Sequence, residues 1–376
     1  MPDSVSNSKI SKKKSKNSKS NLASKGKSKS IKSKSKTIKS KSKSAKSKTQ
    51  NSIKINEDSQ NVDLLRNFDT VLDNIWYGDK YKILIGLNYV LNRHKKHSCF
   101  VAGELDTPQK RINIEKFNIV YMISEKINKN KGDIIYKREG YNRAYKKNIV
   151  EYMTVPFNFN LSEKIKECIK NNKRFLVGLL FLYNQIKDKD DAHQNCYIYD
   201  IKKRELEIFE PFGGRVDNFV NLYNLYNVYS QLKSYFSIEL EKINIDLNYT
   251  YKPINYCPVG PQRYNNHSQI VNSHGGYCAA WSLYYLDVRL SNPNVPRKKL
   301  IETILEDFKG ETAIFINSYS SFILNNFLKN VLDIDNINST YPKFIENFNN
   351  NKLTKKEQEY LKDKLIQENV MLFKSL

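Results

Sequence analysis

Hydrophobic and polar positions divide the chain into a polar N-terminal stretch and a patterned body. No aromatic residue precedes Phe68, and Lys and Ser make up 35 of residues 1–55. Such a segment cannot bury enough apolar surface to offset its loss of conformational entropy, so we predict that it is disordered. From Val62 onward a mixed, ordered pattern begins, and the apolar residues between Leu64 and Ile75 have the spacing of a helix.

The middle of the body has the pattern of consecutive β-strands. Phe175–Leu182 is apolar and bounded by charge, which is typical of a buried strand. β-prone residues follow at His193–Asp200 and at Leu206–Phe209, and a Lys-Lys-Arg run between them marks a turn. These three segments predict an antiparallel meander, and a further short strand is predicted at Leu247–Tyr251.

Helical periodicity surrounds the predicted strands. Because strands in the middle are flanked by helices, we predict an α+β fold with a central antiparallel or mixed sheet and surrounding helices. The predicted helices lie at 219–236, 279–290, 297–309, 313–331 and 354–370.

The net charge of +24 is concentrated in the N-terminal stretch. Residues 1–55 contain 18 Lys, no Arg and one acid, which gives +17 and leaves +7 for the rest of the chain. A solvated, self-repelling extension is one interpretation, and we favour a polyelectrolyte that binds nucleic acid by releasing counterions. The tail lacks Arg and aromatic residues, so we expect this binding to be non-specific.

The number of cysteines and the length of the apolar runs limit the cellular settings that we expect for the protein. The five Cys are odd in number without a C-x-x-C pair, so we predict reduced thiols in an intracellular setting. No secretory signal or run long enough to span a bilayer is present, so we expect no membrane partner. His94, His97 and Cys99 lie close together, but no fourth ligand follows, and we predict neither a metal nor a cofactor.

Cys278 has the surroundings of a nucleophile. It lies in Gly275–Gly276–Tyr277–Cys278–Ala279–Ala280–Trp281, where a glycine pair meets the start of a predicted helix. The glycines allow close approach of a substrate, and the unpaired N–H groups and dipole of the helix start favour the thiolate. A small residue packed beneath the helix is the structural alternative.

His193 and Glu210 are the candidate base and its orienting acid. His193 begins the second strand of the meander, and Glu210 ends the third, 17 residues later. With an even-numbered loop near 201–204, the two side chains project from one face, opposite or diagonal to each other. Glu210 can then hold one imidazole nitrogen and leave the other for a thiol. A surface His and Glu at the end of a sheet are the alternative.

Gln262 is the candidate oxyanion donor. It follows Gly260–Pro261 in a rigid loop upstream of Cys278, and its amide can donate to a tetrahedral oxyanion beside the backbone N–H of the nucleophile. Gln269 lies nearer to Cys278 and is the alternative donor.

The remaining His and Cys residues are weaker candidates. His267 and His274 precede the nucleophile without an acid on a regular element to orient them. Cys196 points away from His193 by strand alternation and is expected in the core.

The order His, acid, Gln, Cys resembles that of the cysteine peptidase clan containing the adenovirus processing protease and the Ulp1-type SUMO proteases. The chain departs from this clan in its interval of 16 residues between Gln and Cys, and in Gln194 where a Trp often follows the His. Within residues 175–295, three stretches are similar to thiol proteases of giant DNA viruses: His193–Gln194–Asn195, Phe209–Glu210–Pro211 and Gly275–Trp281.

The resemblance implies the papain-like fold of that clan and a cysteine protease domain at 151–376. An N-terminal α/β extension at 56–150 and the basic tail at 1–55 precede this domain. The implied reaction is hydrolysis of peptide or isopeptide bonds in protein substrates by His193, Glu210, Gln262 and Cys278.

Three functions follow from these expectations. The first is a protease that processes viral precursor proteins during assembly, in the virion or the reducing host cytoplasm. The alternatives are a deconjugase that removes a ubiquitin-like or SUMO-like modifier, and an inactive protease fold that serves as a nucleic-acid-binding virion protein.

Removing residues 1–55 is expected to weaken DNA binding steeply at low salt, because the tail carries +17 of the +24 net charge. A gel-shift titration of the full chain and of 56–376 with one DNA duplex measures this effect. Equal affinity of the two chains at low salt would rule out the tail as the DNA-binding element.

Overall fold

The computed structural model describes residues 80–103, 116–128, 132–143, 145–186, 191–215, 223–265, 277–307, 312–331, 340–349 and 352–375. All of them belong to one compact unit, Ser52–Leu376. The predictions of a disordered tail and of a helix between Leu64 and Ile75 lie outside the described residues.

A curled mixed sheet forms the centre of the described fold. Its strands are β1 (Ser98–Phe100), β2 (Asn118–Ser124), β3 (Asp133–Asn142), β4 (Lys147–Val155), β5 (Phe175–Gln185), β6 (Asp191–Asp200), β7 (Glu205–Phe209) and β8 (Tyr249–Tyr251). Their order is β3-β4-β2-β5-β6-β7-β8, and β1 pairs with β5 at residues 175–177, next to the stretch of β5 that pairs with β2. The pairs β1–β5, β2–β5 and β7–β8 are parallel, and the other pairs are antiparallel.

The predicted meander is present as β5, β6 and β7. Its second connection is the four-residue turn 201–204, where the Asp200 carboxylate accepts the Lys203 N–H at 3.1 Å. A side-chain acceptor at this position replaces the strand partner that the turn residues lack. The α+β prediction with a mixed central sheet is therefore confirmed.

Ten helices surround the sheet within the described residues. The five predicted helices are found with different bounds, the largest difference being Leu225–Glu241 for 219–236, of which 219–222 lie outside the described residues. Five helices were not predicted: Lys80–His94, Leu161–Lys170, Pro253–Tyr256, Gln262–Asn265 and Tyr341–Asn349. The helices are α1 (Lys80–His94), α2 (Leu161–Lys170), α3 (Leu225–Glu241), α4 (Pro253–Tyr256), α5 (Gln262–Asn265), α6 (Cys278–Ser291), α7 (Arg297–Asp307), α8 (Thr312–Val331), α9 (Tyr341–Asn349) and α10 (Lys355–Ser375).

Strand alternation gives the sheet two apolar faces, each covered by helices. On β6, Cys196 and Ile198 join the core formed with α1, α6, α7, α8, α9 and α10. The intervening Tyr197 and Tyr199 join the core formed with α2 and α3. The fold is therefore a three-layer arrangement in which α6, the helix that begins with Cys278, lies against β6.

The predicted boundary at residue 150 lies inside β4. Strands β2, β3 and β4 continue the sheet formed by β5, β6 and β7, and α1 packs against α6. The described residues of the predicted extension therefore contribute to the same sheet and core as the described residues assigned to the protease domain.

Buried charges fix the position of α6. Asp287 is fully buried and lies 2.7 Å from Nε2 of His94, the last residue of α1. Arg289 Nε lies 3.1 Å from Glu207 on β7, and the Tyr285 hydroxyl bonds to the same carboxylate. Since Asp287 and the pair Tyr285 and Arg289 lie on opposite faces of the helix, α6 is tied to α1 on one side and to the sheet on the other.

The prediction of five reduced thiols is wrong for two of them. Cys99 on β1 and Cys168 on α2 form a disulfide between two side chains that are completely buried. The two residues are 69 positions apart in sequence, so no local pattern indicates the pairing. Cys196, Cys257 and Cys278 are free. No helix in the described ranges is long and apolar enough to cross a membrane.

Substituting Gly178 by Ala is expected to destabilise the fold by roughly 1–3 kcal/mol through overpacking. A Cβ at Gly178 on β5 would overlap the ring and hydroxyl of the buried Tyr197 on β6. Gly140→Ala on β3 is the matched control, since its Cβ would meet nothing within 4 Å. Urea unfolding of the wild type and both variants measures the difference, and equal destabilisation by the two would contradict this packing constraint.

Candidate active site

Cys278 is the first residue of α6. Tyr277 precedes the helix without capping it through its side chain, and the first backbone bond of the helix runs from the Trp281 N–H to the Tyr277 carbonyl at 2.8 Å. The N–H groups of Cys278, Ala279 and Ala280 consequently have no partner within the helix and point toward its N-terminal end. The thiol is buried at this end, with the side chain 6% exposed. Gly275 and Gly276 lie outside the described residues.

The register of β6 and β7 brings His193 and Glu210 to one face of the sheet. Cys196 pairs with Phe209, so Asn195 faces Glu210 across the strands and His193 lies diagonal to it. His193 Nε2 is 2.8 Å from Glu210 Oε1, and both side chains are buried. The predicted pairing of these two residues is present in the structure.

β7 stops before it reaches His193. Its last residue, Phe209, pairs with Cys196, so β6 extends beyond β7. His193 therefore has no β7 residue paired with it. The N-terminal half of α6 occupies this end of the strand, where Ser282 Oγ donates to the Gln194 carbonyl at 3.0 Å. The strand overhang thus lets Cys278 approach His193.

The His193 imidazole is held on its edges and faces. Nε2 lies within hydrogen-bond distance of Glu210 Oε1. A side-chain hydrogen bond also joins His193 to Cys278, and because Nε2 already has its partner, Nδ1 is the nitrogen that remains for the thiol. The rings of Phe212 and Tyr223 lie 5.6 and 5.9 Å from the imidazole, centroid to centroid. These aromatic contacts restrict rotation of the ring, so each nitrogen keeps its partner.

Two opposed effects act on the pKa of His193. Burial lowers it, but the negative charge of Glu210, the charge of the Cys278 thiolate and the hydrogen bonds to both raise it to about 10, against an ordinary value of 6.5. The two anions outweigh desolvation, so the site favours the imidazolium beside them.

Glu210 is completely buried and has donors on one side. Its Oε1 accepts from His193 and also from the Phe212 backbone N–H at 2.9 Å. The turn that follows β7 therefore donates to the same carboxylate oxygen that bonds to the imidazole.

A second loop is fastened to this turn and carries Gln262. The Gln262 N–H donates to the Pro211 carbonyl at 3.0 Å, and the Gly260 N–H donates to the Phe212 carbonyl at 3.0 Å. The side chain of Gln262 is 2% exposed, and its amide oxygen accepts no hydrogen bond from a described residue. The structure therefore places Gln262 at the turn that holds Glu210.

Two glycines make this close approach possible. Gly213 has φ +89°, a conformation that L side chains rarely adopt, and a Cβ there would lie against the backbone of Val259 and Gly260. A Cβ at Gly260 would in turn overlap the Pro211 carbonyl. Gly213 and Gly260 therefore allow the turn after Glu210 and the Gln262 loop to lie against each other.

Other predicted residues lie elsewhere or beyond description. Cys196 is buried in the core as predicted, with Sγ 3.4 Å from the Ser282 carbonyl. His267, Gln269 and His274 lie outside the described residues, so the choice between Gln262 and Gln269 as oxyanion donor stays a prediction. Gln194, in the position often occupied by Trp, donates to Asn118 Oδ1 at 3.0 Å.

The residues considered for zinc have other partners. His94 bonds to Asp287, and Cys99 belongs to the disulfide. Within the described ranges no group of His, Cys, Asp and Glu side chains could hold a metal ion.

Sequence reasoning missed the residues that surround the imidazole and the carboxylate. Phe212 follows Glu210 by two positions, and Asn195 shares the face of His193 by the two-residue period of β6, so both were within reach of the pattern. Tyr223 lies just before α3 and Tyr229 lies in α3, and no sequence signal connects them to the site.

Comparison with known proteins gives partial matches. No family model matches the chain. A protein of Acanthamoeba polyphaga mimivirus described as an ankyrin repeat protein is 29% identical over 171 residues, covering 43% of this chain and 21% of that protein. Protein PFF0380w of Plasmodium falciparum is 28% identical over 151 residues, covering 36% of this chain and 5% of that protein. The chain therefore spans a small part of each.

Solved structures with a likeness to this chain are bacterial effectors. ChlaDUB1 of Chlamydia trachomatis has a TM-score of 0.30 at 13% identity, covering 46% of this chain and 63% of that chain. Cdu1 of the same organism, bound to ubiquitin, has a TM-score of 0.29 at 15% identity, covering 48% and 73%. RavZ of Legionella pneumophila has 0.24 at 13% identity, covering 78% and 88%. Scores this low do not establish a shared fold.

The pKa of His193 is expected to fall by at least one unit in Glu210→Gln, because desolvation then acts with less opposing charge. NMR titration of ¹³C-labelled imidazoles measures it, with His193→Ala assigning the signal. Since the folded pKa is raised, protonated His193 stabilises the fold fully below its ordinary value of 6.5, and this contribution is lost as the pH rises toward 10. An unchanged pKa in Glu210→Gln would contradict the pairing.

Proposed function

We propose that this chain is a cysteine hydrolase that cleaves peptide or isopeptide bonds, with Cys278 as nucleophile and His193 as its base. The observation that carries the proposal is the buried series Glu210, His193, Cys278, in which a carboxylate engages one imidazole nitrogen and the thiol bonds to the ring. This arrangement of acid, imidazole and nucleophile supports acyl transfer on unrelated folds.

The reacting pair is the Cys278 thiolate beside the His193 imidazolium, formed when the thiol gives its proton to the imidazole. The thiolate attacks the scissile carbonyl carbon, and the carbonyl π electrons move to oxygen, which becomes the oxyanion. Glu210 stabilises the imidazolium and keeps its ring oriented. When the oxyanion collapses, the C–N bond breaks and His193 gives its proton to the leaving amine. Water, deprotonated by His193, then hydrolyses the thioester and regenerates the thiol.

Gln262 and the first turn of α6 supply the proposed oxyanion site. The backbone N–H of Cys278 has no helical acceptor, and the Gln262 side chain carries two amide N–H donors. Gln262 is buried on a loop that two backbone bonds fasten to the Glu210 turn, so its donors are held without cost during the reaction.

The substrates that we propose are viral precursor proteins cut during particle assembly, in the virion or the host cytoplasm. The motifs around His193, Glu210 and Cys278 support this proposal by their resemblance to giant-virus thiol proteases. The partial match to a mimivirus protein supports a viral source but not the reaction. Removal of a ubiquitin-like modifier is the alternative outcome of the experiment below.

Labelling by a thiol-directed electrophile on a Gly-Gly peptide or on a ubiquitin-like carrier tests the nucleophile. We expect wild-type labelling that vanishes in Cys278→Ala and falls steeply in His193→Ala, measured by intact-protein mass spectrometry. Cys257→Ala is the matched control and should label like the wild type, because Cys257 is also buried and burial raises its pKa. The preferred carrier separates precursor processing from deconjugation.

A separate variant tests the proposed role of Gln262 as oxyanion donor. In Gln262→Ala, hydrolysis of a peptide substrate should fall by about 10²–10³ in kcat, while alkylation of Cys278 by iodoacetamide, which forms no oxyanion, stays near the wild-type rate. In the labelling experiment itself, labelling that persists in Cys278→Ala, or that is absent from the wild type and all variants, would contradict the enzymatic proposal. It would favour the nucleic-acid-binding structural protein.

A further inference from the structure

Glu210 has a second carboxylate oxygen that takes no part in the contact between Glu210 and His193. Oε1 accepts from His193 and from Phe212, whereas Oε2 is buried and makes no hydrogen bond of normal geometry to a described residue. A buried acceptor without a donor is costly, and a carboxylate held on one oxygen only is free to rotate about its Cγ–Cδ bond.

Two further buried polar side chains lie beside Glu210. Asn195 faces Glu210 across β6 and β7, and both polar atoms of its amide are buried without a hydrogen bond of normal geometry. The hydroxyl of Tyr229, which reaches the site from α3, is in the same condition. Tyr229 interacts electrostatically with Glu210, and side-chain interactions link it to both Glu210 and Asn195.

The protonation states in this cluster determine the direction of donation. Burial and then the charge of Glu210 raise the pKa of Tyr229 well above its ordinary value, so the hydroxyl keeps its proton. The same two effects keep Cys257 neutral, and burial with the charges of Glu207 and Glu210 keeps Cys196 neutral. His193 is the positively charged partner of Glu210, and Tyr229 is an uncharged hydroxyl that is able to donate.

We propose that Tyr229 and Asn195 are positioning residues for the acid of the series: the Tyr229 hydroxyl donates to Glu210 Oε2, and the Asn195 amide orients that hydroxyl. The carboxylate is then held at both oxygens, with Oε1 directed at His193. This inference rests on the proposed function of His193 and Glu210. It adds two residues to the site, Tyr229 from α3 and Asn195 from β6.

Tyr229→Phe tests the proposal because it removes the hydroxyl and keeps the ring. We expect the pKa of His193, followed by NMR, to fall by about one unit, since the loosened carboxylate stabilises the imidazolium less. With a peptide substrate we expect kcat to fall roughly tenfold at unchanged KM, as for loss of one hydrogen bond to a charged group.

Tyr197→Phe is the matched control. Tyr197 is a completely buried tyrosine of β6 on the same face as Asn195, and its hydroxyl also lacks a hydrogen bond of normal geometry, but its pKa is raised by burial and by Tyr235 rather than by Glu210. It should leave both the His193 pKa and kcat at wild-type values. If Tyr229→Phe behaves like Tyr197→Phe, Tyr229 has only a packing role and the proposal is overturned.

Asn195→Leu combined with Tyr229→Phe tests the order of the contacts. If Asn195 acts through Tyr229, adding Asn195→Leu to Tyr229→Phe produces no further fall in the His193 pKa, and an additive fall would assign Asn195 an independent contact. Tyr229→Phe alone decides the main proposal if Asn195→Leu does not fold. Because the NMR titration needs no turnover, it distinguishes failure of this inference from failure of the hydrolase proposal.

Discussion

The carboxylate of Glu210 is completely buried, and a buried charge is stable only when cations and hydrogen-bond donors surround it. This requirement organises the site. The partners of the carboxylate are His193, on the neighbouring strand, and the Phe212 N–H, in the turn that follows β7. That turn in turn accepts the backbone bonds that hold the Gln262 loop. One buried charge therefore connects the candidate acid, base and oxyanion donor through short contacts.

The same rule fixes the helix that carries the nucleophile. Asp287 and Glu207 are buried acids whose partners come from α1, α6 and α7: His94 bonds to Asp287, and Arg289 and Arg297 bond to Glu207. These pairs do not add much net stability, because desolvation offsets their attraction, but breaking one would leave an unpaired charge in the interior. They specify where α6 lies against the sheet, and thereby where Cys278 meets His193.

The sequence predicted the central part of the fold well. The meander and the helices α6, α7, α8 and α10 have strong periodicity and bounding turn residues, so local rules sufficed for them, whereas α9 was not predicted. The strands between Asn118 and Val155 were not located individually, because β-propensity depends on the packing context of each strand. β3 and β4 pair across a short connection, whereas β2 pairs with β5, which is distant in sequence. For the same reason the Cys99–Cys168 disulfide could not be read from spacing.

The sequence alone determined which side chains could perform chemistry, because residue type, strand parity and the position of a helix start are local properties. It supplied His193, Glu210 and Cys278, and the even loop that puts the first two on one face. Only the tertiary structure decided that β6 extends past β7, that Gly213 and Gly260 join two loops, and that Tyr229 lies beside Glu210. Those features depend on backbone approach and burial between segments remote in sequence, which no local pattern encodes.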